Sequence, residues 1–141
     1  MKNVLIVLSF CLTATYGVSQ PPPLTINNTL NCDMLVTVYC GNDVGCDAAC
    51  SVTICVPAMS TIPQTPCSID CWYWGMAIVC PADPCPTVCG NTPDACHVVG
   101  WNNCNGYPTI IMGNIDPPCP TNCLGTITVD ASTPNMLNIG P

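Results

Sequence analysis

The chain has 141 residues, which sets the expectation of one small domain. Lys2 is its only basic residue, Glu is absent, and the acids are Asp33, Asp43, Asp47, Asp70, Asp83, Asp94, Asp116 and Asp130. Residues 20–141 therefore hold a side-chain charge of −8, the −7 of the whole chain less the +1 of Lys2. With no cations to neutralise phosphates, nucleic acid, heparin and anionic membranes are excluded as partners, and ion pairs are limited to whatever His97 forms.

Residues 1–19 read as a secretory signal peptide. Lys2 gives a positive start, Val4 to Leu12 is an apolar core too short to span a bilayer, and small residues follow. Cleavage after Ser19, with Gly17 at −3, is preferred to cleavage after Gly17 and to an uncleaved anchor. It would expose Gln20, which can cyclise to pyroglutamate. The protein is expected to be secreted and extracellular.

Residues 20–31, "QPPPLTINNTLN", show neither a helical nor a strand period, and the proline run predicts an extended, solvated arm. The arm holds the sequon Asn27-Asn28-Thr29, so Asn27 is a candidate glycosylation site.

Residues 32–129 form the expected cysteine-rich β domain. Aligned on Cys32, Cys50, Cys71, Cys89, Cys104 and Cys123, the chain reads as six units at steps of 18, 21, 18, 15 and 19 residues. Four of these anchors have another cysteine four positions earlier: Cys46, Cys67, Cys85 and Cys119. A short run rich in Val, Ile, Thr or aromatics follows each anchor, and then come Pro, Gly or Asn. That pattern predicts a strand bounded by turns. No amphipathic helix is sustained anywhere. The fold class is thus small, disulfide-rich, all-β and loop-rich. An irregular β domain is favoured by the uneven steps, and a disulfide-stapled β-solenoid is the alternative. Residues 130–141 are expected to be a flexible tail.

Cys11 lies in the signal segment. The other fourteen cysteines are Cys32, Cys40, Cys46, Cys50, Cys55, Cys67, Cys71, Cys80, Cys85, Cys89, Cys96, Cys104, Cys119 and Cys123. An even number in a secreted chain is a disulfide framework. Their spacing leaves about 135,000 pairings open, by the counting that gives 15 for six cysteines. The C-x3-C pairs match zinc-ligand spacing only loosely, and oxidation in the secretory compartment argues against zinc. Thiol–disulfide catalysis lacks the basic neighbour or following helix that lowers a thiol pKa.

Hydrolytic catalysis would have to use His97, the only histidine, and no nucleophile elbow accompanies it. The Asp residues sit mostly in turn contexts such as "GND" and "ADP", where the carboxylate bonds nearby backbone N–H groups. Weak calcium or mineral contact is the only metal chemistry they suggest. No catalytic residue, cofactor or resident metal is expected.

"CWYWGMAIVC" is the strongest oddity. Strict alternation puts Trp72, Trp74, Met76 and Ile78 on one face, either buried as core or exposed as an apolar platform for sugar or for another copy. The strand-like runs "MLVTVY", "TIIM" and "TITV" also lack the charges that usually guard sheet edges.

Together these features predict a non-enzymatic structural protein of an extracellular matrix or coat, such as a shell, egg coat, cuticle or capsule. It would associate with copies of itself or with matrix components. One alternative is an ice-binding or other flat-surface adsorber. Another is a soluble secreted defence protein, ligand or inhibitor.

Overall fold

The computed structural model describes residues 20–42, 46–82, 84–89, 95–101, 107–115 and 125–141, together with Cys104, Cys119 and Cys123. The expected signal peptide and Asp43, Asp83, Asp94 and Asp116 lie outside the described residues.

Nine strands run in chain order: β1 Leu24–Asn28, β2 Asp33–Gly41, β3 Ala48–Val56, β4 Ser60–Gln64, β5 Tyr73–Ala82, β6 His97–Gly100, β7 Thr109–Ile115, β8 Gly125–Asp130 and β9 Met136–Gly140. There is no α-helix among the described residues. Two open sheets result, one ordered β4-β1-β9-β8-β7 and the other β3-β2-β5-β6. All pairings are antiparallel except that of β1 with β9.

Alternation along the strands builds the core. Leu24 and Ile26 of β1, Met34, Val36 and Val38 of β2, Ile127 and Val129 of β8, and Leu137 and Ile139 of β9 are all buried. With Trp74, Ala77, Val79 and Met112 they form one apolar cluster drawn from both sheets. Each fully buried aliphatic side chain of this kind contributes about 1.5–3 kcal/mol.

Each of the six cysteine-anchored units contributes a strand, and the unit from Cys50 contributes β4 as well. Strands β2, β5, β6, β7 and β8 follow Cys32, Cys71, Cys89, Cys104 and Cys123, and β3 contains Cys50. The units do not stack as rungs. They are dealt between two sheets in non-sequential order, so the irregular β domain is the architecture and the solenoid is not.

Two expectations are corrected. The 20–31 segment is not a solvated arm: β1 lies inside the five-stranded sheet, between β4 and β9. Residues 130–141 are not a flexible tail: β9 lies between β1 and β8, and its Leu137 and Ile139 are buried. In both segments an alternating run, Leu-Thr-Ile-Asn-Asn and Met-Leu-Asn-Ile-Gly, outweighs the neighbouring proline.

Asn28 fastens β1 to its surroundings. It is the one buried polar residue among those described, at 1% exposure. Its amide N–H groups donate to the carbonyls of Cys32 (2.8 Å), Pro57 (3.0 Å) and Val56 (3.3 Å), and its Oδ1 accepts from the Leu30 N–H (3.0 Å). The end of β1, the turn into β2 and the end of β3 are thereby joined through one side chain.

Candidate functional site

The fourteen cysteines form seven disulfides: 32–123, 40–71, 46–104, 50–67, 55–85, 80–96 and 89–119. No C-x3-C pair closes on itself. Each sends its two sulfurs to different places, which makes two strings of the same form. One runs Cys104–Cys46, Cys50–Cys67, Cys71–Cys40. The other runs Cys55–Cys85, Cys89–Cys119, Cys123–Cys32. The second string contains both Pro-Cys-Pro-Thr segments and joins them at Cys89–Cys119. Cys80–Cys96 stands apart.

Two groups lie close enough to resemble metal sites: the sulfurs of Cys40, Cys50 and Cys71, and those of Cys55 and Cys85 with the Asp33 carboxylate. Every sulfur in them is in a disulfide, which offers no thiolate to a metal. The Asp33 carboxylate instead accepts the Ala58 N–H at 3.1 Å. His97 opens β6 opposite Val79, half-buried. It has no hydrogen-bond partner among the described residues.

The supposed face of Trp72, Trp74, Met76 and Ile78 is divided. Tyr39 of β2 stands opposite Met76 and Cys40 opposite Trp74, so Gly75 is an extra residue in β5. This bulge flips the alternation. Trp74 turns into the core, while Met76 and Ile78 stay half-buried on the outer face beside Leu35, Tyr39 and Val98. Trp72 precedes the strand and is half exposed.

What the bulge builds instead is an aromatic cleft. Its volume is about 420 Å³, and all three tryptophans line it with Tyr73, three prolines and the amides of Gln20 and Asn135. The walls are fixed by hydrogen bonds. The Trp74 indole N–H donates to Pro22 O (3.0 Å) and the Trp101 indole N–H to Met136 O (3.2 Å). The Trp72 backbone N–H donates to Gly41 O (2.8 Å) and that of Trp101 to Gly75 O (2.9 Å). Gly41 is needed for a second reason: a Cβ there would overlap the Tyr73 ring. Sequence reading missed the cleft because it joins residues 20–22, 72–74, 101 and 134–135, which only the sheet topology brings together.

The two outer sheet faces differ. On the five-stranded sheet a polar row crosses every strand: Thr61, Asn27, Asn138, Asp130 and Thr109 stand in register. Thr61 Oγ1 donates to Asn27 Oδ1 (2.9 Å), Asn27 Nδ2 to Asn138 Oδ1 (3.5 Å) and Thr109 Oγ1 to Asp130 Oδ1 (2.7 Å). Burial works against ionisation of Asp130. The Ser132 backbone N–H and the Thr109 and Ser132 hydroxyls outweigh it and hold the carboxyl below its usual range. The outer face of the four-stranded sheet is instead largely apolar, with Asp33 at the start of β2 as a charged member. The sheet's nine-residue edge strand β3, Ala48–Val56, carries no charged side chain and, among the described residues, pairs only with β2. No family model, curated protein or solved structure matches the chain.

Proposed function

We propose that the protein is a secreted, non-enzymatic building unit of an extracellular matrix or coat, hardened by its disulfides and assembled through uncharged sheet edges. The edge strand β3 carries this reading. Half of its backbone N–H and C=O groups point away from β2, and within β3 there is no Lys, Arg, Asp or Glu, the exposed Asp47 standing just before it. Natural soluble domains blunt such edges with charge, and the chain from residue 20 onward has no basic residue to use. The seven bridges support an oxidising, extracellular setting and a unit that keeps its shape when packed in a layer. Extraction of the native protein from its source tests the reading. A protein that comes out freely soluble and monomeric without reductant is not a coat component.

The polar row favours a second reading, adsorption to a flat uncharged surface. At about 4.8 Å per strand the row spans about 19 Å, and Asp130 is its only charged member. Thermal hysteresis in the purified protein would promote an ice-binding role over the coat, and its absence would remove that role. A glycan on Asn27 Nδ2 would stand on this same face and cover the neighbouring members of the row. Glycosylation and adsorption through the row therefore exclude each other.

A further inference from the structure

We infer that the aromatic cleft is a binding site for an organic cation, the guanidinium or ammonium head of a basic partner chain. The inference rests on the cleft alone and not on the coat reading. Three observations carry it.

The first is an available aromatic surface. Trp72 is 50% exposed at the cleft mouth, next to Tyr73, while Trp74 and Trp101 are buried and lend only their cleft-facing parts. Both buried indoles are locked by hydrogen bonds to backbone carbonyls, and the Tyr73 ring is seated over Gly41. The aromatic walls are therefore set before any ligand arrives, which lowers the cost of binding. A cation over such rings is drawn to their electron-rich faces.

The second is the rim. Gln20 Nε2 donates to the Ser68 carbonyl (2.8 Å), and the Cys71 N–H donates to the same carbonyl (3.3 Å). The Asp70 N–H donates to the Ser68 hydroxyl (3.1 Å). In this turn Asp70 is exposed and lies two residues from both Ser68 and Trp72. Asn135 also lines the cleft, and its side-chain amide, with no hydrogen-bond partner among the described residues, can offer its oxygen to an N–H donor.

The third is charge complementarity. From residue 20 onward the chain has eight Asp and no Lys or Arg, so no basic side chain of its own competes for the cleft. An anionic ligand would meet aromatic faces and a negative field with no positive group to hold it. A guanidinium can stack on the Trp72 indole and donate to Asn135 Oδ1, while the exposed Asp70, two residues from Trp72, adds to the negative field.

The test uses the purified, disulfide-bonded protein at about 0.15 M salt, where long-range attraction between exposed charges is screened. A hexa-arginine peptide is titrated by tryptophan fluorescence and calorimetry. Hexa-citrulline, which has the same shape without charge, and cellobiose serve as neutral comparisons. We expect saturable binding of the arginine peptide only. Trp72→Ala should weaken it about fivefold to tenfold, while Trp72→Phe keeps most of it. Asp70→Asn should weaken it about twofold to fivefold. The half-exposed Trp72 can be removed without opening the core, and an unchanged near-UV circular dichroism spectrum of Trp72→Phe checks the fold. Equal binding by wild type and Trp72→Ala would overturn the proposal, since attraction would then be to scattered Asp residues. So would equal binding of citrulline or cellobiose, or no binding at all. A freely soluble monomer that binds the arginine peptide through Trp72 would sink the coat reading and leave this one standing.

Discussion

Cys89 and Cys119, one from each Pro-Cys-Pro-Thr segment, are bonded to each other with their Cα atoms 4.9 Å apart. The repeated motif is thus neither a ligand pair nor a closed loop. It is a connector that passes the chain of disulfides onward, from Cys55–Cys85 on one side to Cys123–Cys32 on the other. The pair Cys46/Cys50 joins the pair Cys67/Cys71 in the same way at Cys50–Cys67. Peptide mapping of the unreduced protein should recover 89–119 and 50–67 and no bridge within any C-x3-C. A 85–89 or 119–123 bridge would contradict the double-string arrangement.

Asn28 should be among the least replaceable residues outside the cysteines. Asn28→Ala strips a donor from three carbonyls and leaves a void beside buried Val56. We expect a loss of about 2–4 kcal/mol in denaturant unfolding, against less than about 0.5 kcal/mol for an exposed control such as Thr65→Ala. Asn28→Asp should be at least as damaging, because a carboxylate accepts and does not donate.

Met59 should behave in the opposite sense. It sits in the turn between β3 and β4 at φ 52°, with 67% of its surface exposed. A left-handed conformation disfavours a side chain, and little packing is at stake. Met59→Gly should leave stability unchanged or raise it by up to about 1 kcal/mol, and Met59→Val should lower it, both read from the unfolding midpoint.

Asp130 gives the fold an acid-sensitive part. Its carboxyl lies below the ordinary value of 3.8, despite opposing burial, because Ser132 and Thr109 donate to it. The stabilisation is present above the unfolded-state value and is lost as pH falls from there through the lowered folded value. Asp130→Asn should therefore destabilise the protein at neutral pH and flatten that acid limb. The check is the unfolding free energy of both proteins measured between about pH 6 and pH 2, the range that brackets an aspartate. Parallel curves would mean that Asp130 plays no such part.

The β content was legible where a cysteine anchored a run of β-branched residues, as at β2, β5 and β8. It was obscured where proline stood nearby. Pro21 to Pro23 hid β1, and Pro63 hid β4, although an edge strand tolerates proline on its open side. The tryptophan run was read with strict alternation, and the bulge at Gly75 broke it. A glycine inside a strand pattern is the one signal that pointed there. The bridge pattern and the cleft were beyond reach, because both depend on which distant segments the sheets bring together. Cys32 and Cys123 are 91 residues apart, and nothing local relates them.

The uncharged β3 edge is proposed to make this protein associate with itself. Sedimentation velocity of the disulfide-bonded protein over a wide concentration range tests it, alongside Ser51→Lys, which places one guarding charge at an exposed position of that edge strand. The account predicts concentration-dependent assemblies for the wild type and a shift to monomer for Ser51→Lys, with both proteins equally folded. A wild type that stays monomeric at every concentration, or assemblies that Ser51→Lys leaves untouched, would contradict it.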